Sequence, residues 1–223
     1  MIKDFVWNKI RILRKKNNKY KDYEFRSRDY WDKRYRNGGT SGEGSYNHLA
    51  EFKAEIINEF LEKNDINSAI EFGCGDGNQL RYISYKNYIG FDVSPKAINI
   101  CRKKFASDKS KQFKLLEEYS GEKAELTLSL DVIFHLIEDE IFEEHMSILF
   151  NSSTKFVIIY SSNKDKQEEK QATHVKHRNF TKWVDINIED WELVKVIPNL
   201  FSETKNNLAS SFSDFYFYKR NLV

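Results

Sequence analysis

Glu71-Phe72-Gly73-Cys74-Gly75-Asp76-Gly77 is the stretch that decides how this chain is read. It completes an apolar run from Ser68 that reads as a buried strand, and the segment after it is expected to be a helix. Glycines between a strand and a helix let the backbone turn tightly and come close to a ligand, while the helix N-terminus offers unpaired N–H groups. A glycine triplet alone is a weak signal. Here the next expected strand, 87–91, leads into Asp92, about 20 residues on, where an acidic side chain can accept both hydroxyls of a ribose.

The third glycine comes one residue too early for the dinucleotide fingerprint G-x-G-x-x-G, and Glu71 stands two positions before the first. A carboxylate there repels a pyrophosphate but suits the cationic amino end of S-adenosylmethionine. The electrostatics favour that sulfonium cofactor over NAD.

Working outward, strand and helix patterns alternate downstream, the signature of a parallel sheet covered on both faces. Ser94-Pro95 opens a helix running through Ala97, Ile98, Cys101 and Phe105, with Ser as N-cap and Pro at the first helical position. Further strands are expected at 112–116, 125–133 and 155–161, with a helix over 138–150. The last two strands, 191–197 and 212–219, have no convincing helix between them and should form an antiparallel hairpin. The polar stretch 162–178 reads as a long mobile loop. Upstream, Leu49, Phe52, Ile56, Ile57 and Phe60 mark a helix over 48–63.

Residues 37–48 hold four of the nine glycines, flanked by Tyr30, Trp31, Tyr35 and Tyr46, and read as a binding loop. Residues 1–22 read as a basic amphipathic helix with Ile2, Val6, Ile10 and Leu13 on one face. It suits packing on the domain or on a second subunit, or contact with an anionic surface. The expected organisation is one domain: 1–47 as basic helix and glycine-rich covering segment, 48–223 as the α/β body.

Lys and Arg total 36 against 34 Asp and Glu, so no concentrated basic field points to a nucleic-acid partner. Cys74 and Cys101 cannot make a disulfide framework and suit a reducing compartment. No apolar run approaches the ~20 residues of a membrane span, and no signal-peptide pattern opens the chain. The expectation is a cytoplasmic protein, with peripheral membrane contact and oligomerisation left open.

The glycine motif, together with Gly90-Phe91-Asp92-Val93-Ser94 and Ser129-Leu130-Asp131-Val132-Ile133-Phe134-His135, resembles the class I S-adenosylmethionine-dependent methyltransferases, over about residues 30–220. That resemblance implies a Rossmann-like fold: a seven-stranded, mostly parallel sheet with helices on both faces and a C-terminal antiparallel hairpin. It implies S-adenosylmethionine as cofactor and S-adenosylhomocysteine as product. Gly73, Gly75 and Gly77 would wrap the methionine part, with Cys74 packed among them. Asp92, beside Val93, would hold the ribose. Glu117 or Glu118 would meet the adenine, on which Tyr119 could stack, and Leu130 and Asp131 would face the reactive methyl.

The segments Tyr30–Ser45 and His174–Val184 resemble, more narrowly, small bacterial methyltransferases found among genes for capsule and other surface-polysaccharide synthesis. This implies O-methylation of a sugar, or of a small decorating group such as a phosphoramidate. It also implies that Tyr30, Trp31, Arg34 and Tyr35 close over the cofactor, with Arg34 paired to its carboxylate as a guanidinium fork allows.

Methyl transfer is an in-line displacement, so positioning removes much of the barrier. A hydroxyl acceptor must also lose a proton. His135, just past the fourth strand, is the candidate base, with Asp131 as the second catalytic candidate; the bland alternative is a histidine that caps or packs. His174, His177 and Arg178 fall on the carboxyl-end side of the sheet, where they could hold an anionic acceptor or simply be solvated. A metal site from His174, His177 and Asp131 is weakly supported, and none is assigned. RNA or protein methylation, and a non-catalytic cofactor-binding scaffold, are the alternatives. The amino-methylating signature Asn/Asp-Pro-Pro-Tyr is absent, the only prolines being Pro95 and Pro198.

Overall fold

The computed structural model describes residues 25–167, 171–202 and 209–221, so the basic stretch 1–22 lies outside the described residues. Helices α1 (Ser27–Arg36) and α2 (Asn47–Lys63) precede β1 (Ala69–Phe72), β2 (Tyr88–Asp92), α3 (Pro95–Lys104), β3 (Lys111–Leu115) and β4 (Ala124–Leu130). Then come α4 (Asp139–Ser152), β5 (Ser153–Ser161), α5 (Phe180–Asn187), β6 (Trp191–Ile197) and β7 (Asp214–Arg220). The strands form one seven-stranded sheet in the order β3-β2-β1-β4-β5-β7-β6. β1 to β5 are parallel, and β7 enters antiparallel between β5 and β6. This is the Rossmann-like fold with a terminal antiparallel hairpin that the resemblance implies.

Alternation along the strands divides the core between two faces. Leu126, Leu128 and Leu130 of β4 join Ile158 and Tyr160 of β5 and Phe215 and Phe217 of β7 under Ile57 and Leu61 of α2. Ile70 and Phe72 of β1 join Val157 and Ile159 of β5 and Tyr216 and Tyr218 of β7 under Met146 and Leu149 of α4 and Phe180 and Val184 of α5. Because Ile70 and Phe72 belong to the second face, Glu71 between them is turned to the α2 side. α3 starts as the sequence requires, with Pro95 in its first turn and the Ser94 hydroxyl accepting from the Ala97 N–H.

Three expectations need correction, and one element was not expected at all. The glycine motif leads not into a full helix but into a 3-10 turn, Gln79–Tyr82, because few residues remain before β2 begins at Tyr88. β4 stops at Leu130 rather than at 133: Asp131 adopts a left-handed φ of 56°, and Ile133–His135 coil into another 3-10 turn. The polar stretch 162–178 is fastened where described: Lys176 N–H donates to Phe134 O and Arg178 donates to Leu136 O and Ile137 O. It is followed by α5, which no expectation included. Among the described residues, no helix is long and apolar enough to cross a membrane.

Candidate active site

Parallel strands deliver their C-terminal ends to one edge of the sheet, and the site is built there. Gly73 N–H and Cys74 N–H both donate to Phe91 O, at 2.7 and 3.0 Å, so the glycine loop leaves β1 in register with β2. Gly73 and Gly75 have φ of 92° and 57°, a region costly for other residues. A Cβ on Gly73 would lie 2.4 Å from Val132 Cγ2, and one on Gly75 would lie 2.3 Å from Ser41 Oγ. The loop is therefore pinched between the β4 end and the front segment. Asp92 secures it from β2: its Oδ2 accepts from Gly75 N–H and its Oδ1 from Ser94 N–H, both at 2.9 Å.

Above this edge lies a cavity of about 820 Å³, within the size range of small-molecule sites. Its wall includes Trp31, Glu71, Gly73, Cys74, Gly75, Asp92 and Val93, and further round Glu117, Leu130, Asp131 and His135. Most of the expected cofactor-contacting residues are thus brought together. Burial pushes the Glu71 carboxyl up to about 7, against the opposing hydrogen bond from Tyr88 Oη (2.6 Å) and the charge of Lys53. Burial likewise raises Asp92 to about 6, although backbone N–H groups oppose it. Two buried acids on one wall favour a cationic ligand.

The front segment is clasped to the glycine loop through Asp76, which sequence reading did not single out. Its Oδ2 accepts from Ser41 N–H (3.0 Å) and Tyr46 Oη (2.7 Å), its Oδ1 accepts from Asn78 N–H, and its own N–H donates to Ser41 Oγ. Burial works to raise its carboxyl, but these hydrogen bonds prevail and hold it below the usual range. Tyr35 is buried in the wall and shares a hydrogen bond with Ser41 Oγ at 2.9 Å.

At the β4 end, Asp131 meets a residue that sequence reading missed. Lys53 of α2 has a side chain only 1% exposed, and its Nζ donates to Asp131 Oδ2 at 2.7 Å. Ser213 Oγ donates to Asp131 Oδ1 at 2.9 Å. Gly44 packs directly above: a Cβ there would lie 2.8 Å from Asp131 Oδ2. A little beyond, His135 Nδ1 lies 2.8 Å from His174 O. A carbonyl can only accept, so Nδ1 carries the proton and Nε2 keeps the lone pair. Burial lowers the ring to about 4, with the charge of Asp131 among the opposing influences. Trp31 meets the His135 ring edge-on at 4.8 Å, and His174 stacks on it at 5.3 Å.

Other expected site residues lie elsewhere. Arg34 is not in the cavity wall: its Nε donates to Thr40 O at 2.7 Å and its guanidinium rests 5.4 Å from the Trp31 ring centroid, because the glycine turn folds back onto it. Tyr30 stacks on His174 at 4.6 Å, outside the wall. Gly77 serves helix packing, since a Cβ there would meet Cys101 Sγ and Phe105 at 2.9 Å. Of the two glutamates, Glu117 reaches the wall, where Arg28 pairs with it at 2.9 Å, while Glu118 turns back to accept from Leu115 N–H. Tyr119 is core, packed on Phe72 and Phe91, not a stacking platform in the cavity. His177 is buried against Ser162, and Arg178 is held by Asp139 and two main-chain oxygens, so neither faces the cavity; His174 meets His135 through its carbonyl and its stacked ring. Among the described residues, no group of three or more His, Cys, Asp or Glu is placed to hold a metal ion.

Comparison with known proteins bears on this geometry directly. Residues 70–139 match the family model described as a methyltransferase domain. The matched span runs from β1 through the glycine loop, Asp92, Asp131 and His135. Among solved structures, magnesium protoporphyrin IX methyltransferase from Synechocystis PCC 6803 with bound S-adenosylmethionine aligns with a TM-score of 0.61 at 15% identity, covering 90% of this chain and 100% of its own. An N-methyltransferase from Bradyrhizobium japonicum WM9, in complex with S-adenosylhomocysteine, aligns with a TM-score of 0.63 at 14% identity, covering 87% and 98%. An S-adenosylmethionine-dependent methyltransferase from Clostridium acetobutylicum ATCC 824 aligns at 0.57 and 12%, covering 86% and 97%. At such identities these likenesses speak to fold. No curated protein matches the chain.

The cofactor of a methyltransferase domain is S-adenosylmethionine, and the residues present fit it. The glycine cradle would be filled by any Cβ. Gln79, buried in the cavity wall, spends its Nε2 on Ala50 O at 2.8 Å and leaves its buried Oε1 with no hydrogen-bond donor. An α-ammonium would supply the donor that this oxygen lacks and the charge that Glu71 calls for.

Proposed function

We propose that this protein is an S-adenosylmethionine-dependent O-methyltransferase acting on a hydroxyl of a sugar or related small molecule in surface-polysaccharide synthesis. The observation that carries the reading is His135 in the cavity wall with Nδ1 engaged by a main-chain carbonyl and Nε2 keeping its lone pair. Glu71, Gln79 and the glycine loop would hold the cofactor's amino-acid end, Asp92 its ribose, and Glu117 its base. The cofactor, when bound, supplies an electrophilic methyl group whose C–S bond breaks with the electron pair left on sulfur. His135 Nε2 takes the acceptor's hydroxyl proton as the new O–C bond forms. A ring held near 4 is neutral at pH 7, so the base form is always present, and Asp131 stabilises the imidazolium that results. Trp31, Tyr35 and Gly44 exclude water from above. The surface-polysaccharide pathway rests on the resemblance of residues 30–45 and 174–184.

The test is transfer of an isotope-labelled methyl group from S-adenosylmethionine into fractionated cell pools of sugar nucleotides and glycans, RNA, and protein. Label is expected in the carbohydrate pool and reduced about 10²–10⁴-fold by His135→Ala. Label in RNA or protein alone would replace the acceptor class, and full activity of the variant would remove His135 from the reaction.

A further inference from the structure

The reaction described above uses no atom of Lys53, yet the site buries its charge beside Asp131. It is a lysine with a side chain 1% exposed, on the core face of α2, one turn from Ile57. A buried ion pair seldom adds stability over apolar packing, because desolvation cancels the attraction. Its partner carries a second burden. Asp131 is a non-glycine residue with φ of 56°, a left-handed conformation that aspartate tolerates better than most residues, and its surroundings fix it there. Those surroundings come from four parts of the chain: Lys53 from α2, Ser213 from the start of β7, Gly44 from the front segment, and Tyr160 O of β5, which accepts from Asp131 N–H at 2.9 Å.

The sheet order says which ligand this arrangement faces. The glycine loop follows β1 and the ribose carboxylate ends β2, so the cofactor takes that half of the edge. The Lys53–Asp131 pair sits at β4, with Tyr160 of β5 (5.1 Å from its ring centroid to Lys53 Nζ) and Ser213 before β7 on its far side. That is the half left for the acceptor. Both Lys53 and Asp131 line the cavity.

We infer that Lys53 and Asp131 form the acceptor-reading pair of the site, built for a neutral polyol: Asp131 accepts from one hydroxyl, and Lys53 donates to the oxygen of its neighbour. The pair is electrically balanced before the acceptor arrives, so it offers a donor and an acceptor without net charge and matches adjacent hydroxyls rather than a phosphate or an amine cation. This replaces the anionic acceptor expected from His174, His177 and Arg178, of which His177 and Arg178 turn their polar groups to the chain itself. It rests on the O-methyl transfer proposed above.

The test compares Lys53→Met and Lys53→Gln with wild type in two assays: calorimetric titration with S-adenosylhomocysteine, and initial rates of labelled methyl transfer into the carbohydrate fraction across a dilution series of that fraction. Titrated at pH 9, where Glu71 is ionised even without the opposing charge of Lys53, both variants should bind S-adenosylhomocysteine within about twofold of wild type. Lys53→Met should need at least about tenfold more of the fraction for half-maximal rate, and Lys53→Gln, which keeps an N–H donor without the charge, should recover part of the loss. A purely structural ion pair would leave the two neutral variants alike, which overturns the inference. So does a loss of S-adenosylhomocysteine affinity in both, which would give Lys53 to the cofactor, or an unchanged dependence on acceptor. If wild type itself labels no carbohydrate, the O-methyl reading fails and this inference with it, an outcome distinct from all the others.

Discussion

At the scale of single residues, the cofactor wall is acidic and poorly solvated, and this has a measurable consequence. Glu71 is raised to about 7 by burial, so near pH 6 it is largely protonated in the free protein. A bound ammonium favours the carboxylate and lowers that value. Affinity for S-adenosylhomocysteine should therefore rise as pH climbs toward about 7 and level off above it, with proton release on binding at pH 6 that vanishes by pH 8. Methylthioadenosine, which has no amino-acid end, should lack the part centred near 7 and keep only the smaller part centred near 6 that Asp92 contributes through the ribose. Gln79→Leu should weaken S-adenosylhomocysteine by roughly tenfold or more while sparing methylthioadenosine, as expected for losing a hydrogen bond to a charged group worth ~1.5–3 kcal/mol. Equal losses for both ligands would place Gln79 away from the ammonium. The sequence made Glu71, Asp92 and the glycines legible because motif spacing ties them to one loop. It hid Lys53, since a lysine on a helix is ordinarily solvated, and nothing local announces that its face is roofed. It also hid the fate of Arg34, His177 and Arg178, whose partners (Thr40 O, the Ser162 hydroxyl, and Asp139 with Leu136 O and Ile137 O) only the folded chain brings near.

At the scale of elements, the front segment is the part whose behaviour the hydrogen bonds define most sharply. Ser41, Tyr46 and Asn78 all donate to one carboxylate, Asp76. Asp76→Ala removes the common acceptor, so the segment should detach more readily: cleavage by a nonspecific protease within residues 37–46 should accelerate, and S-adenosylhomocysteine should dissociate about tenfold faster or more. Unchanged protection would mean that packing by Trp31 and Tyr35 holds the segment without the clasp. Element boundaries were legible where chemistry punctuates the chain, as at Ser94-Pro95. They were not where an apolar run crosses a conformational break: Leu130-Asp131-Val132-Ile133 reads as continuing strand, but the left-handed turn at Asp131 stops it. α5 escaped notice because only Phe180 and Val184 of its eight residues are buried, too few for a helical stripe to stand out.

At the scale of the whole molecule, one sheet edge gathers the glycine loop, the ribose carboxylate, the Lys53–Asp131 pair and His135, while α2, α3, α4 and α5 cover the two faces behind it. A ligand bound only by the folded chain stabilises it by about 2.7 kcal/mol at a hundred times its dissociation constant, which for a chain this size raises the melting temperature by roughly 5–10 °C. The measurement that bears most directly on the central claim is calorimetric titration of S-adenosylhomocysteine into wild type and Asp92→Ala. One site per chain in the wild type, weakened at least about a hundredfold by Asp92→Ala, is the expected result. No binding, or equal affinity in the two proteins, would contradict the placement of the cofactor in this cavity.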